Sequence, residues 1–415
     1  MDTSSDEQEM SSRDVVVALD EDQNFIPRKS IEKFYSKPRE WQNKINTFVA
    51  KLDEKVKIDK NDDRYKEIYE GRSRIAKAVC RELSKACCCK YAGILCESTG
   101  SANAGTKVGF PHEEDFILKV NHGWRRVFCC LCNASDEDDL EIFSAMVEEL
   151  FIQGRLNIDP HWTVHGVHWH KAGVCLVMEY KKDISNLDIG VGVTIDLVPV
   201  KRASLWNRFE FFGTQTMESH RFLQSMNLDH ILNPKIFRLL GRDKNDTGTI
   251  ENEILASLDE DIKRAFRVAK FVLQHYVKQE DHTAQYPSVD IDEYRSLKLY
   301  GLSPGWKSYY LRKCLLHLLI STHGTDLAPL LKDGALVLCL FDMLPCLALP
   351  VGDDEARLLN CKDPIKGMDD AVFPTQYSIE LEVLVDYMKE DFIESALSDS
   401  LDDYTLLNTE RFFES

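Results

Sequence analysis

The segment TGSANAGTKVGFPHEEDFILKV (Thr99–Val120) joins a small Gly-Ser turn to a run of acids at the start of an apolar strand. Gly100 permits a neighbouring group to approach the backbone closely, and the serine after it can donate a hydrogen bond to a phosphate oxygen. Because residues i and i+2 of a strand share a face, we expect Glu113 and Asp115 to point together and Glu114 to point away. The segment therefore predicts two carboxylates beside a phosphate-binding turn.

A third acid, Asp196, lies inside the apolar strand GVTIDLVPV (Gly192–Val200). Burying a lone carboxylate costs several kcal/mol unless something neutralises it. Oxygen ligands favour Mg²⁺ or Mn²⁺, and carboxylates on neighbouring strands can hold two such ions about 4 Å apart for in-line phosphoryl transfer. We interpret Glu113, Asp115 and Asp196 as that site. Two plainer interpretations stay open: acids at a strand start can be solvated, and Asp196 can pair with a distant basic residue.

The same segments resemble those of a known family. GSANAGTKVGFPHEED (Gly100–Asp115), TIDLVPV (Thr194–Val200) and SYYLRKCLLH (Ser308–His317) are similar to motifs of the cyclic GMP–AMP synthase-like receptors. That family belongs, with the male-abnormal-21 proteins, to the polymerase-β-like nucleotidyltransferases. The resemblance runs from about Trp41 to the C-terminus and is most specific at the first two motifs. It implies that the three acids are catalytic and hold two divalent cations.

The resemblance also implies nucleotide contacts. Thr99 and Ser101 would touch phosphate or sugar, Lys270 would reach a triphosphate, and Tyr309 would stack on a base. The full implied set is Thr99, Gly100, Ser101, Lys244, Thr249, Lys270, Ser308, Tyr309 and Arg312. Glu114 departs from the family, which commonly has an aromatic residue there. The vertebrate zinc ribbon between the two lobes is missing, so no zinc is expected.

The hydrophobic pattern predicts a first lobe with both helices and strands and a second, all-helical lobe, and the motifs and the resemblance imply that this α+β, bilobal arrangement is a nucleotidyltransferase fold. Apolar residues recur at helical steps from Pro38 to Cys89, which predicts a long N-terminal spine helix that Asp63 and the two residues before it either interrupt or begin. Strand-like segments follow from Tyr91, and helical patterns replace them past Arg208. We predict a disordered acidic tail (residues 1–24), a nucleotidyltransferase core with a basic spine and a mixed sheet (25–210), and an all-helical C-terminal lobe (211–415).

The formal charge of −18 argues against a surface that is basic throughout, but the charge is uneven. The stretch from Arg28 to Lys90 carries 18 Lys and Arg against 10 Asp and Glu, a balance of +8. Phosphates would bind such a helix electrostatically, and the family resemblance favours double-stranded RNA, with DNA as the alternative. The predicted nucleic-acid-binding residues are Lys51, Lys55, Lys77, Arg81 and Lys85. The competing interpretation is an ordinary solvated helix face.

The 13 cysteines form no regular framework, and the N-terminus MDTSSDEQEM lacks a signal region. An intracellular, cytoplasmic location is therefore expected. The longest apolar run (Gly334–Val351) contains Asp342, Pro345 and Pro350, so it predicts a buried helix and no membrane span.

Together the motifs and the resemblance predict a nucleotidyltransferase that is activated by nucleic acid. It would condense two nucleoside triphosphates, ATP and GTP or others, into a cyclic dinucleotide used as a second messenger in innate immunity. A ligand-induced dimer is possible for such a receptor. One alternative is a catalytically inactive nucleotide- or partner-binding protein of the same fold. A template-independent RNA polymerase is disfavoured by the charge of −18.

Overall fold

The computed structural model describes the chain in separate ranges between residues 25 and 401. They are 25–58, 63–86, 94–108, 113–120, 138–156, 158–170, 173–180, 191–202, 217–226, 237–239, 245–246, 248–282, 308–344 and 378–401. The predicted acidic tail and the predicted boundary near residue 210 lie outside these ranges, so both stay predictions.

Three helices open the described chain: α1 (Phe25–Tyr35), α2 (Arg39–Val56) and α3 (Asp63–Ala86). The predicted helical character of this region is confirmed. Helix α2 ends where the backbone of Lys57 becomes extended and forms an isolated β-bridge with Val108. The predicted long spine is therefore made of two helices, the first ending at Val56 and the second beginning at Asp63.

In the part of the chain that the structure describes, a seven-stranded sheet forms the centre of the first lobe. In chain order the elements are β1 (Leu95–Thr99), α4 (Gly100–Asn103), β2 (Glu113–Val120), α5 (Asp138–Ile152), β3 (Trp162–His170), β4 (Gly173–Tyr180), β5 (Val191–Arg202), β6 (Phe237–Leu239) and β7 (Asn245–Asp246). The main path is β1-β2-β5-β4-β3, in which β2 and β5 are parallel and the other neighbours antiparallel. The predicted mixed sheet is confirmed.

The second lobe is built from helices. They are α6 (Met217–Ser225), α7 (Gly248–Ser257), α8 (Glu260–His282), α9 (Ser308–Thr322), α10 (Asp333–Met343) and α11 (Ser378–Ser398), with a short 3₁₀ turn at Ala328–Leu330. The expectation of an all-helical region after residue 210 was wrong for β6 and β7. Strand β6 pairs with the end of β5. Strands of three and two residues are too short to show a two-residue hydrophobic period.

Two hydrophobic cores explain why the spine is divided. Helix α3 contributes Ile68, Val79 and Leu83 to a core formed with the sheet and α5. Helix α2 contributes Phe48 and Leu52 to a second core formed with α1 and the helices after the sheet. Each helix therefore buries its apolar face in a different lobe. Within the described residues, no helix has both the length and the apolar character that crossing a membrane requires.

Candidate functional site

Asp115 and Asp196 lie side by side on neighbouring strands. In the parallel pairing of β2 with β5, Asp115 is the register partner of Asp196, and Glu113 is the partner of Thr194. Register partners on adjacent strands are about 4.8 Å apart and present their side chains on the same face. Like charges in this position repel each other, so a cation between them would be stabilising. The structure thus brings together two of the three predicted acids.

The third acid, Glu113, begins β2. Its side chain lies outside the described part of the structure, so its participation stays a prediction. Among the side chains that the structure does describe, no group of three or more His, Cys, Asp or Glu residues could hold a metal ion. The paired aspartates fit a hard divalent cation in their chemistry, because both supply oxygen ligands and a shared negative charge.

The Gly-Ser turn packs against the carboxylate of Asp115. Gly100 has φ +79°, and a Cβ at this position would lie 2.2 Å from Asp115 Oδ2. Thr99, the last residue of β1, is the register partner of Asp115, and Ser101 lies in the short helix α4 directly after the turn. Only glycine combines this backbone conformation with this approach. The turn and Asp115 therefore pack directly against each other.

Glu114 lies on the opposite face of β2, as the strand alternation predicts. It is buried, and its Oε2 is 3.1 Å from Arg72 Nε on α3. Ser98 on β1 donates a hydrogen bond of 2.7 Å to Oε1 of the same carboxylate. The position at which the sequence departs from the aromatic residue of the family that it resembles is therefore part of an internal ion pair.

The two lobes meet at Asn252, a residue that the sequence analysis did not single out. Its Nδ2 donates a hydrogen bond of 2.7 Å to Thr99 Oγ1. Its Oδ1 accepts one from Arg312 Nη1 at 3.4 Å, and the same nitrogen is 3.3 Å from buried Glu251 Oε2. Asn252 thus joins two of the predicted nucleotide-binding residues. Its position between two acids in an ordinary helical pattern offers no local signal of this role.

Helix α8 holds the loop that follows the turn. Arg267 forms two 2.6 Å bonds with Asp53 on α2 and donates to Gly105 O at 2.9 Å. Lys270, predicted to reach a triphosphate, is buried with its Nζ 3.4 Å from Thr106 O. The structure therefore places Lys270 behind the turn, on the same helix face as Arg267.

Glu260 completes this network at the start of α8. Arg267 Nη2 donates to Glu260 Oε1 at 2.7 Å, and Lys57 Nζ donates to the same oxygen at 2.9 Å. Burial opposes the charge of Glu260, but these two bonds outweigh it and lower the pKa of its carboxyl group. Lys57 and Arg267 thus connect the end of α2 to α8 through one carboxylate.

Several implied nucleotide contacts cannot be placed by their side chains. Lys244 lies outside the described residues. Thr249, in α7, and Ser308 and Tyr309, at the start of α9, have described backbones only. Their roles stay predictions, whereas Arg312, one turn further along α9, is within reach of Asn252.

The five predicted nucleic-acid-binding cations are divided between two helices. Lys77, Arg81 and Lys85 are exposed at four-residue steps on α3 and therefore share one face. Lys51 and Lys55 are on α2. Lys51 Nζ lies 2.6 Å from Oδ2 of Asp399, the residue that follows α11. The predicted stripe is thus divided between α2 and α3, and on α3 Glu82 lies 3.7 Å from Arg81 and 2.9 Å from Lys85.

No protein-family model and no curated protein sequence matches the chain. Solved structures with a similar arrangement include CdnC from E. coli MS115-1 with ATP, at 13% identity and TM-score 0.46, covering 89% of this chain and 98% of that one. The c-UMP-AMP synthase CdnE of Rhodothermus marinus, with Apcpp and Upnpp, has 11% identity and TM-score 0.39, covering 88% and 97%. The STING-associated c-di-GMP synthase CdnE of Capnocytophaga granulosa has 10% identity and TM-score 0.41, covering 92% and 98%. Likenesses this distant assign no activity to this chain.

Proposed function

We propose that this chain is a nucleotidyltransferase that condenses two nucleoside triphosphates into a cyclic dinucleotide. The observation that supports the proposal best is the in-register pair Asp115 and Asp196 beside Gly100. Two like charges in register on one sheet face repel each other, and a divalent cation bound between them would turn that repulsion into a favourable arrangement. Service as a second messenger in innate immunity, with ATP and GTP as substrates, is part of the proposal and is supported by the sequence resemblance.

In this function the acids bind cations and move a proton. Glu113, Asp115 and Asp196 are the proposed ligands of two Mg²⁺ or Mn²⁺ ions, which when bound lower the pKa of an attacking hydroxyl and neutralise phosphate charge. Asp196 accepts the proton of a ribose hydroxyl while that oxygen bonds to the α-phosphorus of the second nucleotide. The bond from this phosphorus to the departing pyrophosphate breaks. A second transfer of the same kind closes the ring.

The turn and the helical lobe orient the substrates. Thr99 and Ser101 carry hydroxyl groups next to Asp115 that can bind phosphate oxygens. Arg312 is held near Thr99 through Asn252, which places a guanidinium group at the junction of the lobes. A nucleotide bound between the lobes would therefore contact both, and its binding would favour their closure.

Double-stranded RNA is the proposed activator, and the exposed face of α3 is its proposed binding surface. Lys77, Arg81 and Lys85 present three positive charges on this face. Glu82, in the same turn, lies 2.9 Å from Lys85 Nζ and partly offsets them. Contacts of this kind recognise the phosphate backbone and the shape of the duplex and carry no base specificity.

A single assay tests the proposal. The purified full-length chain is incubated with four labelled nucleoside triphosphates, Mg²⁺ or Mn²⁺, and double-stranded RNA, double-stranded DNA or no nucleic acid. We expect a phosphatase-resistant cyclic product in the RNA reaction and none from Asp196→Asn. Absence of product in every reaction would contradict the proposal and favour a non-catalytic nucleotide- or partner-binding protein. Long linear products would instead indicate a template-independent polymerase.

A further inference from the structure

The buried ion pair behind the candidate site has a geometry that stability alone does not explain. Arg72 and Glu114 have side-chain exposures of 0% and 4%, and Arg72 Nε lies 3.1 Å from Glu114 Oε2. Ser98 holds the other carboxylate oxygen at 2.7 Å. Three elements, α3, β1 and β2, are therefore joined at one carboxylate. We call Arg72, Glu114 and Ser98 the back-face clamp.

Several contacts fix the position of helix α3 on either side of Arg72. The Arg72 guanidinium lies 4.9 Å from the centre of the Tyr69 ring, which orients it from the helix side. A Cβ on neighbouring Gly71 would lie 2.4 Å from the ring of Trp162, so the helix backbone packs directly on that indole. Tyr180 donates a 2.6 Å hydrogen bond to Glu67, one turn earlier on α3. Arg72 therefore extends from a fixed position.

A pair of this kind is a costly way to fill a core. Desolvating two charges offsets most of their attraction, and well-packed apolar residues of similar size are often as stabilising or more so. What this arrangement adds is position: Ser98 donates a hydrogen bond to one oxygen of Glu114, and the charge of Arg72 lies 3.1 Å from the other oxygen, although Nε and Oε2 are not aligned as a hydrogen bond. The position of Glu114 also determines where the adjacent side chains of β2 lie, because a one-residue shift in the pairing register of a strand turns every side chain to the other face.

We propose that Arg72 is a positioning residue for the cation-binding acids. By holding Glu114 on the back face through the clamp, it fixes the register of β2 and so keeps Asp115 beside Asp196 on the front face. The inference rests on the proposed function for the identity of the bound cation. Groups that hydrogen-bond directly to metal ligands typically change metal affinity about 10–100-fold when they are replaced, and Arg72 acts through the residue next to a proposed ligand, so we expect an effect at the lower end of that range.

The test compares Mn²⁺ affinity with folding in the full-length chain. The main variant is the apolar pair Arg72→Met with Glu114→Leu, which leaves the net charge unchanged, so that an altered affinity reports geometry. Mn²⁺ binding is measured by electron paramagnetic resonance without nucleotide, and folding by thermal unfolding. We expect the apolar pair to fold and to bind Mn²⁺ about tenfold more weakly than the wild type. Unchanged affinity would overturn the proposal.

Two further variants sharpen the result. Arg72→Gln with Glu114→Gln also conserves net charge and retains a polar contact across the same gap, so we expect affinity within about threefold of the wild type. Affinity as low as that of the apolar pair would contradict positioning by the clamp. If the apolar pair does not fold, Arg72→Lys is measured in its place, because it conserves the charge but not the guanidinium geometry: about tenfold weaker Mn²⁺ binding would support positioning by Arg72, and unchanged affinity would overturn it. Arg74→Met with Glu70→Leu, an exposed ion pair on the same helix, also conserves net charge and is the matched control, which should bind Mn²⁺ normally.

The controls separate this inference from the proposed function. Loss of Mn²⁺ binding in Asp115→Asn, together with a normal apolar pair, would leave the proposed cation site standing and overturn the role of Arg72 alone. No Mn²⁺ binding by the wild type would overturn both, because the clamp would then have no cation site to position.

Discussion

The two faces of strand β2 treat the same chemical group in opposite ways. On the back face Glu114 is buried, and the protein supplies its counter-charge from Arg72 at 3.1 Å. On the front face Asp115 stands in register with another carboxylate, Asp196. A buried carboxylate beside an internal cation belongs to the folded framework, whereas two carboxylates in register repel each other, and a bound cation would relieve that repulsion. Front-face changes should therefore affect function, and back-face changes should affect folding as well.

The largest effect is expected at Asp196. Asp196→Asn removes a proposed ligand and the proposed proton acceptor, so we expect product formation to fall about a thousandfold. It also removes like-charge repulsion, so the unfolding temperature without metal should stay the same or rise. Activity assays and thermal unfolding check the two parts. A marked drop in unfolding temperature would break the comparison, because it would show a stabilising role on the front face.

Gly100→Ala should affect both properties. The added Cβ would meet Asp115 Oδ2 at 2.2 Å, at a backbone φ of +79°. We expect a destabilisation of about 1–3 kcal/mol and an activity loss of about a hundredfold from displacement of the acid. Gly154→Ala is the control: its φ is +60° and its Cβ position is open, so it should cost stability without loss of activity. Equal activity losses in the two variants would show that backbone strain is the cause.

A third surface, the exposed face of α3, is the proposed binding site of the activating double-stranded RNA. Replacing Lys77, Arg81 and Lys85 together by Ala should weaken binding of double-stranded RNA and lower the log–log salt slope by about 3. Basal activity without RNA should not change, since these side chains point away from the sheet. The triple variant Lys29→Ala, Lys33→Ala and Lys44→Ala, exposed on α1 and α2, is the control for net charge. A similar loss in that control would indicate a nonspecific charge effect.

A smaller effect is expected at the junction of the lobes. Asn252→Ala removes the bond to Thr99 and the contact with Arg312. We expect KM for nucleotide to rise about five- to tenfold with a smaller change in kcat, because about 1 kcal/mol of orienting contact is lost. Steady-state kinetics distinguish the two constants. Asn43→Ala, exposed on α2, is the matched control, and equal KM values for the two variants would exclude this role.

The smallest effect concerns acid stability at Glu260. Because Lys57 and Arg267 lower the pKa of its carboxyl group, Glu260 contributes stability above the ordinary pKa of a glutamate, about 4.3. That contribution is lost as the pH falls through the lowered pKa of the folded state. Thermal unfolding from pH 7 to pH 3 should therefore show a shallower loss of stability for Glu260→Gln than for the wild type. Parallel curves would mean that the group is not stabilised in its charged form.

The local sequence pattern predicted features that depend on neighbouring residues, but it did not predict contacts between residues far apart in the chain. Strand alternation predicted that Glu114 faces away from Asp115, whereas the close packing of Asp115 on Gly100 became visible only in the structure. Neither Asn252 nor Arg72 has such a signal, because their partners Thr99 and Glu114 are 153 and 42 residues away in sequence. The short strands β6 and β7 were missed for a related reason, since pairing with β5 defines them.

Taken alone, the order of residues determined which side chains share a strand face, where the turn needs glycine, and that a mixed sheet is followed mainly by helices. These features depend on the backbone period and on steric limits within a few residues. Only the tertiary structure decided that Asp115 lies opposite Asp196, that Arg72 neutralises Glu114, and that the spine divides between two cores. Register and ion pairing between distant segments depend on how whole faces pack, and no short stretch of sequence contains that information.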